Sequence, residues 1–375
     1  MHKKIDRIEV FVFERPRENA YLGGLDEVML GDSHILRKFN GTVYPVGDRS
    51  VVVRLTDTDG AQGWGETYGL VAPKIVADLI EDLLGPYLKM LDPMRPDETW
   101  DALYKLQRVR GYWGGYLADT LAALDIALWD LYARAQGVSI QAALGAPGEG
   151  RLEGYVSGLP GPCKQARLDM AREWQGRGFD KVKIPVSHSD NGDVPGEFES
   201  LRGGLGDAQM IAVDMHWTYS AEGAIQLDRD LAPHDPWFLE APVSPEDIGA
   251  QIAVGQGISK PLALGEEWRT EWDYIPRAGA AKIVQPEMGH TGITQFLRIA
   301  GRARENGAAV IPPATIGLGI FKSASLRASR AAGAEAQDFQ HRIYGRSAAL
   351  LEGAAEDGNG AFESADTPGH GSVRR

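Results

Sequence analysis

The chain has 375 residues, a formal net charge of −13 at pH 7 and 43% hydrophobic residues. Its length exceeds what a single growing core supports, so two domains, or a barrel with an added domain, are expected. The acidic charge is scattered and leaves no basic stripe, which excludes a nucleic-acid-binding protein. The single cysteine excludes an internal disulfide, and no apolar run is long enough to span a membrane. These features favour a globular protein of the cytoplasm.

The first part of the chain predicts an α+β domain. "KIDRIEVFVFER" alternates like a strand, and "RSVVVRLTDTDGAQGWGE" predicts two strands joined by the turn "DTDG". Residues 21–48 show little periodicity and predict a long loop of the kind that covers a site. Helical spacing follows at 73–91 and 96–111, and "YLADTLAALDIALWDLYARAQG" predicts a long apolar helix. We expect a capping domain over residues 1–135.

From residue 136 onwards, short apolar runs alternate with helical segments. The seven runs are "EGYVSG", "KVKIPV", "QMIAVD", "WFLE", "PLALGE", "AKIVQP" and "AAVIPP". This alternation indicates parallel βα units, and so many units favour a closed barrel over an open sheet. We expect a barrel over 136–334, with about 335–375 completing the capping domain. The tail from Glu352, rich in Gly, Ala and acids, is expected to pack loosely.

Charged residues stand where these runs end. They are Lys181, Lys183, Asp214, His216, Glu240, Glu266 and Glu287. Because side chains alternate along a strand, the two lysines share a face, as do Asp214 and His216. One acid at a strand end could be a helix cap or a solvated loop residue. Three acids on consecutive strands, Asp214, Glu240 and Glu266, instead offer a converging set of oxygen ligands with open positions, which suits Mg²⁺.

Several of these segments resemble the enolase superfamily, mandelate racemase subgroup. They are the "GWGE" hairpin, the "LAALDIALWD" helix, the lysine pair, the three acids and the "GEE" and "QPE" strand ends. "DMHW", "GEEWRT" and "IVQPEMGHTGIT" are further similar to a galactarate dehydratase branch. The resemblance implies an α/β fold, a modified TIM barrel of the (β/α)7β type with an α+β capping domain. It also implies a homo-oligomer.

The resemblance implies a Mg²⁺-dependent acid-sugar dehydratase acting on a galactarate-like small molecule. Such an enzyme removes the proton α to a carboxylate and eliminates the β-hydroxyl. A racemase, epimerase or cycloisomerase that uses the same enolate is one alternative. A metal-binding relative with little turnover is another.

The same resemblance assigns roles to the strand-end residues. Lys183 is the expected base, and Lys181 beside it is expected to contact the substrate carboxylate and to lower the pKa of Lys183 from about 10.4 towards roughly 7 to 8. Two lysines that only extend from a strand end are the structural alternative. His216, in the Asp-x-His pattern, is expected to do acid or base work near the metal, or else to be a packed histidine that orients a neighbour.

One position departs from the family pattern. Many relatives carry a histidine at the end of the seventh strand, paired with the acid that ends the sixth, whereas this chain has Pro313 in "IPPATIGLG". Glu287 is therefore expected to lack its partner, because a proline side chain cannot transfer a proton. His290 is a candidate substitute, or a loop histidine without a role.

Substrate contacts are expected from the capping loops. Polyhydroxy acids need several hydrogen-bond donors and a positive charge. The candidates are Tyr21, Tyr44, Arg49, Tyr68, Arg110 and Tyr112. We expect some of Tyr21, Tyr44 and Arg110 to face the cavity, and we add His290 as a substrate contact.

Overall fold

A computed structural model of the chain describes residues 3–16, 27–148, 150–188, 192–314, 316–348, 350–352, 355–356 and 359–374. It contains an N-terminal capping domain and a parallel barrel, as the sequence predicts. No helix in these ranges is long and apolar enough to cross a membrane.

In the part of the chain that the structure describes, the capping domain combines two antiparallel sheets with four helices. Its strands are β1 (Ile5–Pro16), β2 (Glu27–Leu30), β3 (His34–Arg37), β4 (Val43–Pro45), β5 (Gly47–Asp57) and β6 (Gln62–Tyr68). Its helices are α1 (Pro73–Leu79), α2 (Gly85–Leu88), α3 (Pro96–Arg108) and α4 (Gly115–Ala135), with one π-helical stretch at Ile80–Leu84. The first sheet has the order β1-β5-β6, and β2, β3 and β4 form the second. The prediction of a structureless loop before β5 is wrong, because strands of three or four residues are too short to show a period.

Helix α4 is apolar on all sides and is therefore buried on all sides. It lies against β6, where the two glycines of the "GWGE" motif face it. A Cβ atom added at Gly63 or Gly65 would overlap the backbone carbonyl oxygens of Ala127 and Ala123. These glycines allow the helix and the strand to pack at backbone distance.

The barrel consists of eight parallel strands and the helices between them. Its strands are β7 (Gly150–Ser157), β8 (Lys181–Pro185), β9 (Met210–Asp214), β10 (Leu239–Glu240), β11 (Leu262–Leu264), β12 (Ile283–Val284), β13 (Ala309–Val310) and β14 (Gln337–Phe339). The helices are α5 (Ile140–Ala143) before the barrel, then α6 (Lys164–Gly176), α7 (Val194–Leu205), α8 (Ala221–Leu231), α9 (Ile248–Gly257), α10 (Glu271–Tyr274), α11 (Met288–Glu305) and α12 (Ile320–Ala331). The remaining elements are α13 (His341–Ala348), β15 (Leu351–Glu352), β16 (Ala355–Glu356), β17 (Ala361–Ser364) and β18 (Val373–Arg374).

The strands close into a ring of the (β/α)7β type. Neighbours pair in the order β13-β12-β11-β10-β9-β8-β7, and β14 pairs with β7. The ring closes where Asp338 donates its backbone N–H to the carbonyl of Pro312 at 3.1 Å. The eighth strand therefore comes from residues past 334, where we expected the barrel to end.

The C-terminal tail packs more firmly than its composition suggests. Strand β17 pairs antiparallel with β7, and Phe362 is buried. The backbone N–H of His370 donates to Asp130 on α4 at 2.8 Å. The expectation of a loosely packed tail is wrong for β17 and for residues 369–372, which are mostly buried, whereas residues 365–368 are exposed.

Candidate active site

The predicted metal ligands lie side by side at the carboxyl end of the barrel strands. In the parallel register, Asp214 pairs with Glu240 on the next strand, and Glu240 pairs with Ala263 on the strand after that. Glu266 lies two residues past the end of β11. Both Asp214 and Glu240 are buried. The strand register brings together three carboxylates that are 26 residues apart from one to the next in the chain.

Lys183 is buried among carboxylates. Its Nζ lies 2.6 and 2.8 Å from the two oxygens of Glu240 and 3.1 Å from Asp338. Burial alone would lower the pKa of Lys183, but Glu240, Tyr155 and Asp338 raise it well above its ordinary value. The expected lowering of this pKa is therefore wrong in this arrangement. The side chain is an ammonium ion that neutralises part of the site.

Lys181 does not reach Lys183. Its Nζ lies 2.6 Å from Asp180 and 3.9 Å from Glu153. The two lysines share a face, as expected, but they are two residues apart, about 6.6 Å along the strand, and Lys181 is at the opposite end from the mouth. The residue of β8 in register with Asp214 is Pro185. The expectation that Lys181 tunes Lys183 is corrected: the strand continues two residues past Lys183, which the sequence reading missed.

His216 is folded back onto the neighbouring acid. The strand ends at Asp214, and both His216 and Trp217 have left-handed backbone conformations, with φ of 48° and 57°. This turn brings Nε2 of His216 to 3.0 Å from Oδ2 of Asp214, whose other oxygen accepts the backbone N–H of His216 at 3.0 Å. Although burial opposes it, the pairing with His216 and Lys183 lowers the pKa of Asp214. We expected Asp214 and His216 to share a strand face. The strand instead ends at Asp214, and the turn brings the two side chains together.

The three predicted ligands fit Mg²⁺ in chemistry but are not assembled into a cage. Among the described residues, no group of three carboxylate, imidazole or thiol side chains is placed to hold a metal ion as it stands. Glu240 is bound by Lys183 and by Gln285, whose amide donates at 2.7 Å, and Asp214 is bound by His216. Glu266 makes no hydrogen bond within the described part of the chain, and burial, with repulsion from the other two, raises its pKa.

The charges around this cluster do not balance. Four acidic side chains, including Asp338, surround the single ammonium of Lys183. Buried anions are unfavourable unless a cation compensates them. An all-oxygen donor set with excess negative charge suits a hard divalent cation, so the residues present fit Mg²⁺.

Two adjoining cavities open at this end of the barrel. The larger, of about 390 Å³, is bordered by Tyr68, Tyr116, Asp119, Trp217, Arg269, Glu287 and His290. The smaller, of about 110 Å³, is bordered by Ser157, Lys183, Pro185, Asp214, His216, Asp338 and Gln340. Tyr44, Glu266, Ala314 and Ile316 border both. Glu266 therefore stands at the boundary between the cluster and the larger space.

The predicted substrate contacts divide into three groups. Tyr44 and His290 border the cavities. Arg110 is exposed on the turn after α3 and borders neither, so the expectation that it faces the cavity is wrong. Tyr21 lies outside the described residues.

Glu287 and His290 sit at the start of α11, on the wall of the larger cavity. Glu287 caps that helix, because its Oε2 accepts the backbone N–H of His290 at 3.1 Å. Burial raises the pKa of Glu287 to about 8. Nδ1 of His290 lies 2.8 Å from Oδ1 of Asp119, which also accepts from Arg269 at 3.1 Å. Glu287 does not pair with Pro313, whose carbonyl accepts the amide of Gln337 at 2.8 Å.

Sequence reasoning missed three residues of this site. Asp338 lies on the eighth strand, whose signal is three residues long. Asp119 lies inside an apolar helix. An acid in a helix that is buried indicates a partner side chain elsewhere in the fold, and this signal was available in the sequence. Gln285, which directly follows β12 and lies two residues before Glu287, could have been found because side chains two residues apart in extended chain point the same way.

Comparison with known proteins agrees with this geometry. Residues 166–373 match the family described as Enolase C-terminal domain-like, and residues 41–145 match the Mandelate racemase / muconate lactonizing enzyme, N-terminal domain. A D-galactonate dehydratase of Xanthomonas axonopodis pv. citri (strain 306) is 29% identical over 288 residues, 74% of each protein. A 3,6-anhydro-alpha-L-galactonate cycloisomerase of Streptomyces coelicolor is 28% identical over 86% of this chain and 88% of that protein. The solved structure of a member of the enolase superfamily from Agrobacterium tumefaciens is 45% identical, with a TM-score of 0.95, over 100% of this chain and 97% of that one.

Proposed function

The chain belongs to the enolase superfamily, in its mandelate racemase subgroup, and from this membership we propose that it is a Mg²⁺-dependent acid-sugar dehydratase of the cytoplasm. It removes the proton α to a carboxylate and eliminates the β-hydroxyl, which makes it a hydro-lyase. The observation that carries the proposal is the row of carboxylates at Asp214, Glu240 and Glu266 beside the buried ammonium of Lys183.

The residues at the cluster have separate tasks in this reaction. Asp214, Glu240 and Glu266 are the ligands for Mg²⁺, which, when bound, supplies Lewis-acid stabilisation of several kcal/mol to a negatively charged intermediate. Lys183, predicted as the base, is better suited by its ion pairs to hold the substrate carboxylate and the negative charge that develops on it. His216 orients Asp214 and borders the smaller cavity beside the cluster.

The cavities suit a small hydroxylated acid. Their combined space is typical of sites for small molecules. Tyr44 and Arg269 offer hydrogen-bond donors, and the indole Nε1 of Trp217 is buried without a partner among the described residues. A substrate hydroxyl could accept from that indole, because a buried N–H without an acceptor is costly. The D-galactonate dehydratase relatives support an aldonate or aldarate, with galactarate the first compound to try.

An isomerase is the second candidate function. The cycloisomerase relative, which matches over more of the chain than the dehydratase does, supports it. A racemase, an epimerase and a cycloisomerase would all use the same enolate without losing water. The third reading, a metal-binding relative with little turnover, is supported by Pro313 in place of a proton-transferring residue.

One screen separates these functions. The purified chain is incubated with aldonates, aldarates and their lactones in the presence of Mg²⁺, and the products are identified by NMR. A 2-keto-3-deoxy product supports the dehydratase, and an isomerised substrate supports the isomerase. Binding of Mg²⁺ without turnover of any compound would contradict both.

A substitution tests the role of Lys183. We expect Lys183→Ala to abolish turnover and to retain Mg²⁺ binding, because Lys183 is not a ligand. Lys181→Ala is the matched control on the same strand and should retain turnover, since its Nζ pairs with Asp180. Full activity in Lys183→Ala would exclude the assignment.

A further inference from the structure

A histidine and an acid from different domains meet on the wall of the larger cavity. His290 lies in the first turn of the barrel helix α11, and Asp119 lies on α4 of the capping domain. Nδ1 of His290 and Oδ1 of Asp119 are 2.8 Å apart. Asp119 is an acceptor for Arg269 as well, at 3.1 Å, which keeps it ionised. The imidazole therefore carries its proton on Nδ1 and donates it to the carboxylate.

The backbone around His290 is fixed independently of its side chain. Glu287 accepts the N–H of His290 at 3.1 Å, and Thr67 of the capping domain donates its hydroxyl to the carbonyl of Gly289 at 2.5 Å. The imidazole ring packs against Tyr68 at a centroid distance of 4.6 Å, with the two ring planes tilted by 35°. Because the two backbone contacts, to Glu287 and Thr67, already hold the helix start, it does not depend on the imidazole alone.

The second ring nitrogen is available to a ligand. Nε2 of His290 has no hydrogen-bond partner among the described residues, and the side chain is 19% exposed where it borders the larger cavity. Glu266 borders the same cavity, so a substrate held at the carboxylate cluster extends towards His290. Lys183 borders only the smaller cavity. The ammonium of Lys183, which holds the substrate carboxylate, thus faces the substrate from one wall, and the imidazole of His290 faces it from another.

We propose that His290, oriented by Asp119, is the base that removes the α-proton, in place of the histidine that Pro313 displaces. This inference rests on the proposed function. Nε2 takes the proton, and the C–H electron pair becomes the carbon–carbon double bond of the enediolate. That electron pair then expels the β-hydroxyl, to which the imidazolium returns the proton, so that water leaves and His290 is neutral again. The resulting enol tautomerises to the 2-keto-3-deoxy acid.

The pairing gives His290 the form that a base requires. A neutral imidazole with Nδ1–H donated to a carboxylate keeps its lone pair on Nε2. The charged and titratable groups that face the ring are Asp119, Arg269, Glu287 and Tyr68. Burial lowers the pKa of His290, which favours the neutral form at neutral pH.

The test uses the full chain with Mg²⁺ and the substrate found in the screen. His290→Asn keeps an amide that can donate to Asp119, and we expect turnover to fall by about 10²-fold or more. Exchange of the α-hydrogen with D₂O, followed by NMR, should fall in parallel. The rise in melting temperature caused by Mg²⁺ should equal that of the unsubstituted chain. His234→Asn is the control, because His234 precedes β10 at the opposite end of the barrel.

The outcomes separate the two proposals. If the unsubstituted chain neither exchanges nor converts any acid sugar, the proposed function fails and the inference fails with it. If the unsubstituted chain reacts and His290→Asn reacts within threefold of it, only the inference fails. Loss of exchange and turnover in His290→Asn, with both retained in the unsubstituted chain and in His234→Asn, supports the proposed function and the inference.

Asp119 is a positioning residue in this account. Asp119→Asn should lower kcat and should shift the acidic limb of the pH–rate profile to lower pH, because the imidazolium loses its stabilising carboxylate. A merely structural Asp119 would lower activity without moving that limb. An unshifted profile in Asp119→Asn would overturn its role.

Discussion

At the scale of single residues, neighbours decide the chemistry of each charged group. Lys183 has the sequence context of a base, yet two carboxylates keep it protonated. His290 has the context of a loop histidine, yet a carboxylate from another domain orients it. The residue type limits what a side chain can do, and the partners within about 3 Å select one of those possibilities.

Glu287 provides a test of these environments through pH. An unfolded glutamate ionises near pH 4.3, whereas in the fold Glu287 keeps its proton up to about pH 8. Between these values the folded state binds more protons than the unfolded state, so this residue lowers the stability as the pH rises. We expect Glu287→Gln to remove this loss. Measured against the unsubstituted chain, the free energy of unfolding of the variant should be higher at pH 8.5 than at pH 5.5 by on the order of 1 kcal/mol or more.

Urea unfolding at the two pH values measures this gain. Glu305→Gln at the exposed end of α11 is the matched control and should follow the unsubstituted chain. Parallel pH profiles for Glu287→Gln and the unsubstituted chain would contradict the raised pKa.

At the scale of elements, α11 positions the proposed base through a kink. Gly292 has φ of 62°, which interrupts the helix after its first turn. Asp125 of α4 then caps the second part, accepting the backbone N–H of Thr294 at 2.8 Å and its hydroxyl at 2.6 Å. The kink turns the first segment, which carries His290, towards the cavity.

Substitution of Gly292 tests the kink. A Cβ atom at this position would lie 2.7 Å from Oδ2 of Asp125, and the positive φ is unfavourable for alanine. We expect Gly292→Ala to destabilise the fold by about 1–3 kcal/mol. Gly301→Ala, in the regular part of the same helix with no atom near its Cβ position, should stabilise by about 0.5–1 kcal/mol. Equal effects of the two substitutions in thermal unfolding would rule out the kink as a constraint.

The elements also show where prediction from sequence succeeds and fails. The positions of Asp214, Glu240 and Glu266 are predictable because each acid ends a short apolar run or stands within two residues of the strand that the run forms. The position of Lys183 within β8 is not predictable, because an apolar run does not show which of its residues lies at the mouth of the barrel. The strand continues past Lys183 to Pro185. Asp119 meets His290 across 171 residues of chain, and local patterns contain no information on such a contact.

At the scale of the molecule, the capping domain completes the site from outside the barrel. Glu66, buried in β6, accepts the backbone N–H groups of Leu318, Gly319, Ile320 and Phe321 at the start of α12. A carboxylate at a helix N-terminus is favourable there because of the unpaired N–H groups and the helix dipole. Asp119 and Tyr44 reach the cavities only because such contacts dock the two domains.

Association between copies of the chain is a further prediction at this scale. Apolar side chains on β1 and β2 are exposed, among them Phe11, Val28 and Met29, the last at 55%. Exposed apolar side chains on an edge of this kind favour an interface, and the family resemblance implies one. We expect sedimentation to give a multiple of 40.7 kDa and Met29→Glu to shift it towards one chain. Met90→Glu, at a site that is 68% exposed after α2, should leave the mass unchanged. A single-chain mass for the unsubstituted protein would exclude the homo-oligomer.

The most direct measurement is a calorimetric titration of the full chain with Mg²⁺. We expect one ion bound per chain, with binding abolished by Glu266→Gln and retained in Glu267→Gln, which alters the adjacent carboxylate. If the unsubstituted chain binds no Mg²⁺, or if Glu266→Gln binds it as tightly as Glu267→Gln does, then Asp214, Glu240 and Glu266 do not form the metal site.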